Sequence, residues 1–352
     1  MHRGWQIITA QMLAGAAIVA ILFLTVDLND VGRVFEDAEY VWVLLAFPLF
    51  IAANVVGAFR SQLSLARMGR VPIMPLFETY LVAFMANSLI PLRVGDLLRI
   101  QVISRRYGLP TTGVTSAVFI TETLFDGAAF TLMFLWTLAF FSVPGVLLSL
   151  AWTLSAIILA GVIIASVFAR VELEDGWVDR SFIRNWPHRL RSLIGRLLPE
   201  ALQGLAILAD WRLAIKAFLL TLVGWMLQGS MYWTFGRAFG LDLTLADSIL
   251  VMMTASFIVS AHFIPTSIGI YEGGITGLLL ILGVSGGEAL AYSVGTHVLM
   301  ITFGLMAGLT AMWRLRLSLN DLVALGKEGV EEAEEMLAHD REGEQAAAKE
   351  EG

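Results

Sequence analysis

One stretch of this chain places side chains that bind phosphate next to residues that interrupt a helix. It reads NSLIPLRVGDLLR and covers residues 87–99. Pro91 removes a backbone donor and Gly95 lets two backbones approach closely, so one helix should end here and another begin. The new helix would direct free N–H groups and a partial positive charge at the break, where Arg93 adds a full charge. We expect this break to bind an anion such as a phosphate.

The charged residues of this stretch also have a purely structural interpretation. Arg93 and Arg99 can lie close to a membrane surface and pair with Asp96, which precedes Arg99 by three residues. Asn87 can join two helices by hydrogen bonds. The sequence therefore leaves two alternatives, a substrate-binding site and a set of structural contacts. Both use the same four residues: Asn87, Arg93, Asp96 and Arg99.

Two carboxylates share one face of the next apolar block. Glu122 and Asp126 are four residues apart in ITETLFDGAAF, which places them one helical turn apart. Carboxylates inside a membrane are costly unless they are paired or protonated, and Arg93 or Arg99 is the expected partner. Glu122 and Asp126 could bind substrate or carry a proton, or they could form ion pairs that only hold the neighbouring helices.

A second break repeats the spacing of the first. In HFIPTSIGIYEGG, residues 262–274, Pro265 precedes Gly269 by four residues, as Pro91 precedes Gly95. Each break follows one apolar block and precedes another. The two breaks are therefore candidates for corresponding positions in an internal repeat.

The polar residues of the second break again have two interpretations. Thr266 and Ser267 can cap the helix that begins here, and Glu272 near its N-terminus can complement the helix dipole. Alternatively, Glu272 lines a cavity and binds a substrate amine or a proton, with Tyr271 and the two hydroxyl residues beside it.

The elements that carry these residues belong to a multi-pass membrane protein. The 352-residue chain is 57% hydrophobic and 15% charged, whereas soluble domains are typically ~45–50% apolar and ~25% charged. It has no cysteine, which excludes disulfides and zinc–thiolate sites. Because a span needs about 20 apolar residues, the spans must lie among eight apolar blocks, near 5–26, 41–59, 74–90, 112–141, 146–168, 213–238, 246–264 with 267–283, and 289–312.

Basic residues in short loops predict which ends of these spans face the cytoplasm. The 27–39 loop has five acids and one base and is expected outside, while three arginines from Arg60 to Arg70 place the end of the second span inside. Arg105 is also expected inside, so the chain between Arg70 and Arg105 crosses an even number of times, with room for only one full span. We expect a re-entrant hairpin there, and a second one in 248–286 that enters from the opposite side.

These elements predict an all-α integral membrane protein, a polytopic helical bundle with two oppositely oriented re-entrant hairpins in an inverted repeat. The units 41–141 and 213–312 each hold a span, a broken hairpin and a further span. Inverted repeats with discontinuous helices are typical of secondary transporters, whose sites lie where the half-helices meet. A cytoplasmic amphipathic segment, 169–212, joins the repeats. Residues 1–316 would form the membrane domain and 317–352 an acidic, disordered cytoplasmic tail.

Three motifs give the chain a resemblance to a known family. The first break matches the pattern N-x-x-x-P-x-R-x-G-E-x-x-R, except that Asp96 replaces the glutamate. Glu122 and Asp126 match E-R-x-x-D, except that Thr123 replaces the arginine, and the second break matches P-x-x-x-G-x-x-E. In this order, across about residues 5–316, the motifs resemble those of the lysylphosphatidylglycerol synthase transmembrane-region family, which includes the lipid-flippase half of multiple peptide resistance factors.

The resemblance implies a stand-alone, lipid-handling member of that family. Together with the charge pattern, it implies a multi-pass protein of the cytoplasmic membrane of a bacterium or archaeon, with both termini in the cytoplasm. A membrane lipid with an anionic phosphate headgroup is the expected partner, a homo-oligomer is left open, and no nucleic acid is expected. The stretch after residue 316 is too short for a synthase domain, and the replaced arginine weakens any transfer of headgroup preference.

The expected function is movement of a phospholipid, glycolipid or polyprenyl-phosphate-type lipid between leaflets through a polar cavity between the hairpins. One alternative is an intramembrane enzyme that modifies such a lipid with Glu122, Asp126 or Glu272 as general base. Another is a non-transporting envelope-assembly factor. The sequence has no phosphate-binding loop, nucleophile elbow, zinc-protease or dinucleotide motif, so neither a cofactor nor a metal is expected.

Overall fold

The computed structural model of this chain is helical, and no strand occurs among the residues that it describes. Those residues are 28–89, 94–137, 145–170, 188–260 and 267–318. Their helices are α1 Leu28–Glu36, α2 Tyr40–Leu65, α3 Ile73–Leu89, α4 Val94–Tyr107, α5 Thr111–Thr137, α6 Gly145–Phe168, α7 His188–Leu205, α8 Trp211–Ala238, α9 Leu245–Ser260, α10 Ile270–Ile281 and α11 Gly286–Leu315.

Four of the described helices are long and apolar enough to cross a membrane: α2, α5, α8 and α11. This confirms the predicted all-α, multi-pass membrane class. Between α2 and α5, and again between α8 and α11, the chain forms two shorter helices, which are the pairs α3–α4 and α9–α10. At a rise of ~1.5 Å per residue, neither the 17 residues of α3 nor the 16 residues of α9 span the roughly 30 Å hydrocarbon layer.

The helices from α2 to α5 form one set and those from α8 to α11 form another, and the two sets pack against each other in matched pairs. α2 lies along α8, α3 along α11 and α5 against α9, and the contact of α2 with α3 has its counterpart in that of α8 with α9. Glycines allow the closest approaches, because a Cβ on Gly304 of α11 would lie 2.7 Å from the Phe84 ring of α3. A Cβ on Gly308, also in α11, would overlap the Met85 side chain of α3. One apolar core, to which both sets contribute, fills the space between them.

The two short helix pairs enter the bundle from opposite ends. α3 begins beside the last turn of α2, where the Gln62 side chain donates to the Val71 carbonyl oxygen at 2.8 Å, and α4 ends where α5 begins. α9 instead begins near the end of α8, and α10 ends where α11 begins. The N–H of Glu39, just before α2, donates to the Ala238 carbonyl oxygen at the end of α8 at 2.9 Å, so the start of α2 lies beside the end of α8. The end of α2, where α3 begins, is therefore at the opposite end of the bundle from the end of α8, where α9 begins.

Charge distinguishes these two ends. The basic end, where α3 starts and α11 finishes, carries Arg67, Arg70, Arg105, Arg106, Arg170, Arg212, Arg314 and Arg316. The acidic end, where α2 and α11 start, carries two arginines, Arg33 and Arg237, against seven acids: Asp30, Glu36, Asp37, Glu39, Asp242, Asp247 and Glu288. The positive-inside rule predicts a cytoplasmic basic end. Helix packing alone does not fix a membrane plane, so this orientation and the re-entrant course of α3–α4 and α9–α10 stay predictions, as does the inverted repeat.

Two segments differ from expectation. The 27–39 stretch, which its charges predict as a loop, contains helix α1, and Val34 and Phe35 of this helix pack on the core. Counting charges alone overlooks this apolar face. α2 continues to Leu65 rather than ending near residue 59, so Arg60 lies inside a helix rather than in a loop.

Residues 188–209 of the amphipathic segment predicted over 169–212 are helical. α7 and a following 3₁₀ turn cover it. A Cβ on Gly204 would overlap the carbonyl oxygen of Gly113, so α7 packs directly on the start of α5. Its cytoplasmic location stays a prediction. The predicted first span, 5–26, and the tail from residue 319 lie outside the described residues.

Candidate functional site

Glu122 of α5 is the centre of a buried polar cluster that we call the Glu122 cluster. Its carboxylate accepts hydrogen bonds from four side chains of α2, α3 and α4: Arg60 at 3.0 Å, Ser61, Tyr80 at 2.6 Å and Arg99 at 3.1 Å. Glu122 is 4% exposed, Arg99 6% and Arg60 8%. The turn before Glu122, Ser116–Ile120, is a π-helical turn, a feature frequent at functional sites.

Arg99 of α4 binds Glu122 as a fork. Its Nη1 and Nη2 donate to the two carboxylate oxygens, each at 3.1 Å, and Nη2 also donates to Ser61. The guanidinium lies over the Tyr80 ring, with 3.5 Å between Cζ and the ring centroid. Two parallel charged hydrogen bonds and a cation–π contact fix an arginine more firmly than one ion pair does. The predicted pairing of Arg99 with a carboxylate of α5 is confirmed.

Arg60 of α2 is the charged member of this cluster that the sequence analysis misses, and it also misses Ser61 and Tyr80. Its Nη2 donates to Glu122, while its Nη1 donates to Asp126 at 2.5 Å and to Thr221 of α8 at 3.2 Å. Trp225 of α8 also donates to Asp126, from Nε1 at 3.0 Å. The signal that could have found Arg60 is that no other charged residue follows it before Arg67, so the helix can continue for more than a turn beyond it.

The Glu122 cluster is balanced in charge but incompletely hydrogen-bonded. Two guanidinium cations, Arg60 and Arg99, face two carboxylates, Glu122 and Asp126. The Nε atoms of both arginines are buried and have no hydrogen-bond partner within the described part of the chain. Buried donors are seldom left unpaired, because each costs about 1–3 kcal/mol. An anion with several oxygens could satisfy donors that the two carboxylates leave open.

At the tip of the α3–α4 pair, Asn87 and Gly95 hold the two helices together. The side-chain oxygen of Asn87 accepts the Gly95 N–H at 2.8 Å, and its amide nitrogen donates to Asp96 at 3.3 Å. A Cβ on Gly95 would overlap the carbonyl oxygen of Ala83, so a side chain is excluded at this position. The close approach that the sequence predicts for Gly95 is confirmed, and Asn87 makes the helix-joining contact.

The α9–α10 pair carries a second polar cluster, the Glu272 cluster. Glu272 Oε2 accepts the N–H of Gly269 at 2.6 Å, and Oε1 accepts from Nδ1 of His297 in α11 at 2.6 Å. The Tyr271 ring stacks on the His297 imidazole with centroids 4.3 Å apart. Glu272 therefore caps the N-terminus of α10 and also joins this helix to α11.

The turn before α10 differs in one respect from expectation. The sequence predicts a cap from Ser267, but Gly269 occupies the N-cap position with φ 86°. Ser267 has φ 54°, a left-handed conformation that side-chain-bearing residues rarely adopt. Tyr271 is 2% exposed, and its hydroxyl lies 3.3 Å from that of Tyr232 in α8 and 3.2 Å from that of Thr296 in α11. Tyr271 thus ties three helices together.

The structure divides the predicted site residues into groups. Arg99, Glu122 and Asp126 share one cluster, and Glu272 contacts an imidazole rather than an arginine. Four of the predicted residues lie outside the described residues: Pro91, Arg93, Pro265 and Thr266. Within the described ranges, no group of three or more histidine or acidic side chains is arranged to hold a metal ion.

A family model described as the lysylphosphatidylglycerol synthase TM region matches residues 8–308. The chain belongs to this family. The match includes both polar clusters and both short helix pairs. The lysylphosphatidylglycerol synthase TM region characterises membrane proteins and is associated with lipid flippase function. Comparison with curated proteins gives no match.

Proposed function

We propose that this chain moves a lipid with a phosphate-bearing, anionic headgroup between membrane leaflets, along a polar path between α3–α4 and α9–α10. Membership of the lysylphosphatidylglycerol synthase TM family supports a lipid as the substrate. The buried Glu122 cluster supports the anionic headgroup, and it is the observation on which this proposal rests.

Stability alone does not explain the Glu122 cluster. Arginines within membrane helices are costly and usually face a partner or a polar path. Replacing a buried ion pair by apolar side chains of similar volume is often neutral or stabilising, so such a pair is weak evidence of a structural need. A buried cluster in which Arg60 and Arg99 share Glu122, while both Nε donors stay unpaired, therefore favours a role in binding.

Exchange of one anion for another is the chemistry that this cluster supports. Without a lipid, Glu122 occupies the anion position between Arg60 and Arg99. A lipid phosphate would replace it on the fork of Arg99 and reach the unpaired Nε donors. Ser61 and Tyr80, which both donate to Glu122, can keep the displaced carboxylate hydrogen-bonded. The acyl chains would stay in the bilayer during this exchange.

The tips of the two short helix pairs would meet other parts of the headgroup. Glu272 would hold cationic headgroup atoms or a proton, with Ser267 and Tyr271 beside it. The residues that we assign to the first tip are Asn87, Arg93 and Asp96, and Thr266 completes the second. The proposed path opens to the basic end through α3–α4 and to the acidic end through α9–α10.

Translocation of a labelled phospholipid in liposomes tests this proposal. The purified chain is reconstituted, and an impermeant reductant then bleaches the label in the outer leaflet only. With wild-type protein the reductant should bleach nearly all the labelled lipid, because lipid from the inner leaflet reaches the outer one. With Arg99→Gln or Glu272→Gln, the label in the inner leaflet should stay unbleached. Lipid masses recovered afterwards should be unchanged, because a transporter does not modify its substrate.

Arg237→Gln is the matched control, since Arg237 pairs with exposed Asp242 at 3.0 Å and neither residue belongs to either cluster. It should translocate lipid at the wild-type rate. Wild-type liposomes that behave like protein-free liposomes would refute the proposal, and altered lipid masses would favour an enzyme.

A further inference from the structure

The basic end carries an open cavity that lies apart from both polar clusters. Its volume is about 880 Å³, and it lies between the first turns of α3 and the last turn of α11. Met74 and Pro75 contribute an apolar wall, and Trp313, Arg314 and Arg316 line the other side. Two arginines and a tryptophan thus face one cavity at the end of a pair of apolar helices.

Arg314 is fixed by one edge of its guanidinium group. Its Nε donates to Oε1 of Glu78 at 2.5 Å, and Glu78 is a buried residue of α3. Neither Nη atom has a hydrogen bond to any residue that the structure describes, and the side chain is 48% exposed. Glu78 therefore orients Arg314 while leaving two donors that match phosphate oxygens.

Arg316 has a backbone conformation that normally favours glycine. Arg316 is the first residue after α11 and has φ 58° and ψ 34°. At this helix end the Leu317 N–H donates to the Met312 carbonyl oxygen at 3.0 Å. A left-handed conformation is unfavourable for a residue with a Cβ, and such strain is concentrated at functional sites. Among the described residues, no carboxylate forms an ion pair with Arg316.

Trp313 indicates which kind of anion reaches this cavity. It is 80% exposed, and tryptophan is enriched where membrane helices meet the headgroup layer. Glu78, Arg314 and Arg316 together leave one positive charge in excess, and Met74 adds exposed apolar surface. Charge, aromatic ring and apolar surface match a lipid with a negatively charged headgroup better than they match a free ion.

We propose that this cavity is a docking site for an anionic phospholipid. Its phosphate would bind Arg314 and Arg316, and its acyl chains would pass beside Trp313 and Met74 into the bilayer. The site goes beyond the translocation path, since it lies at the basic end and shares no residue with either cluster. Binding here can be measured whether or not the chain moves lipid, so the two proposals fail independently.

Tryptophan quenching by brominated lipids tests this site. The protein is placed in vesicles that contain brominated phosphatidylglycerol or brominated phosphatidylcholine, and the difference between wild type and Trp313→Phe isolates the signal of Trp313. We expect a preference of about fivefold for phosphatidylglycerol, which corresponds to one unbalanced arginine near a membrane surface. The preference should fall at high salt, and inorganic phosphate should not abolish it.

Two substitutions of Arg316 and one control variant separate binding from structure. Arg316→Gln should remove the preference, while Arg237→Gln, which also lies beside a tryptophan, should keep it. Arg316→Gly should remove the preference and also raise the melting temperature, because glycine relieves the left-handed strain. Equal quenching by both lipids in the wild type, or a preference that persists in Arg316→Gln, would overturn the proposal.

The acidic residues that follow Ser318 are the competing occupant of this cavity. The chain has no cysteine, so a single nitroxide label can be attached through Glu334→Cys. If the proposal holds, this label leaves Trp313 unquenched when anionic lipid is present. Strong quenching under that condition would show that the tail fills the cavity, and would overturn the lipid site.

Discussion

In each of the two helix sets, a polar side chain of the second short helix pairs with one on the long helix that follows. The carboxylate is on the long helix in the first set and on the short helix in the second. In the first set, a cation on the second short helix, Arg99 of α4, pairs with a carboxylate on the long helix that follows, Glu122 of α5. In the second set, the carboxylate is on the short helix, Glu272 of α10, and its partner is His297 on the long helix α11. Both contacts join a short helix to its neighbour, so they share a structural role.

The chemistry of the two contacts nevertheless differs. Arginine keeps its charge at physiological pH, so Arg60 and Arg99 always require an anion. A carboxylate and an imidazole can share one proton and form a neutral pair, which needs no further ion. The Glu122 cluster is therefore suited to exchange one anion for another, and the Glu272 cluster to a cation or a proton. Loss of a partner should cost more in the first cluster than in the second.

Removal of the two carboxylates should produce the largest contrast. Glu122→Gln leaves two buried arginines with Asp126 as their remaining carboxylate, and should lower the free energy of unfolding by about 3–5 kcal/mol. Glu272→Gln should lower it by about 1–2 kcal/mol, because its amide oxygen can still accept the Gly269 N–H. Thermal unfolding in detergent, scaled by denaturant unfolding, measures both. Equal losses would show that the two clusters do not differ as described.

Glycine substitutions should give the next contrast. Gly95→Ala forces a Cβ onto the Ala83 carbonyl oxygen and should cost about 1–3 kcal/mol, as overpacking of a core does. Gly277→Ala in α10 meets no atom within 4 Å and should stabilise its helix by up to about 1 kcal/mol. The melting temperatures of the two variants should move in opposite directions. A neutral Gly95→Ala would contradict the close approach of α3 and α4.

Loss of a single hydroxyl should give the smallest effect. Tyr80→Phe removes the hydrogen bond to Glu122 at 2.6 Å and should cost about 1 kcal/mol. Its control is Tyr40→Phe, which removes a bond of 2.9 Å to the Phe35 carbonyl oxygen at an exposed position. There water can replace the lost partner, so we expect a smaller change. Indistinguishable melting temperatures for the two variants would show that the Tyr80 hydroxyl contributes no more to stability than an exposed one.

The sequence predicts the long apolar helices well because each is bounded by a clear break. The block expected near 213–238 is α8, and the one near 289–312 is α11. Helix α1 escapes prediction because its apolar face covers only a few residues among many acids. The four-residue spacing of Gly304 and Gly308, and of Gly273 and Gly277, predicts close helix packing. The contacts with α3 confirm it for Gly304 and Gly308, but it is wrong at Gly277, where an added Cβ would meet no atom within 4 Å.

The sequence identifies the acidic members of the sites better than their partners. Glu122 and Glu272 are conspicuous because carboxylates are rare in apolar blocks. Arg60 is missed because an arginine near the end of a span resembles a cytoplasmic loop charge, and only packing of α2 against α8 shows that it is buried. Likewise, the partner of Glu272 could not be chosen from sequence, since His297 is 25 residues away.

Translocation by a charge-balanced variant tests the central claim most directly. Arg99→Gln combined with Glu122→Gln removes one cation and one anion, so the remaining pair of Arg60 and Asp126 stays balanced. Once thermal unfolding shows that this variant is folded, we predict that it moves labelled phospholipid at least about tenfold more slowly than wild type, because a charged hydrogen-bond partner of about 1.5–3 kcal/mol is lost. Translocation at the wild-type rate would contradict the account, because the cluster would then only hold the helices together.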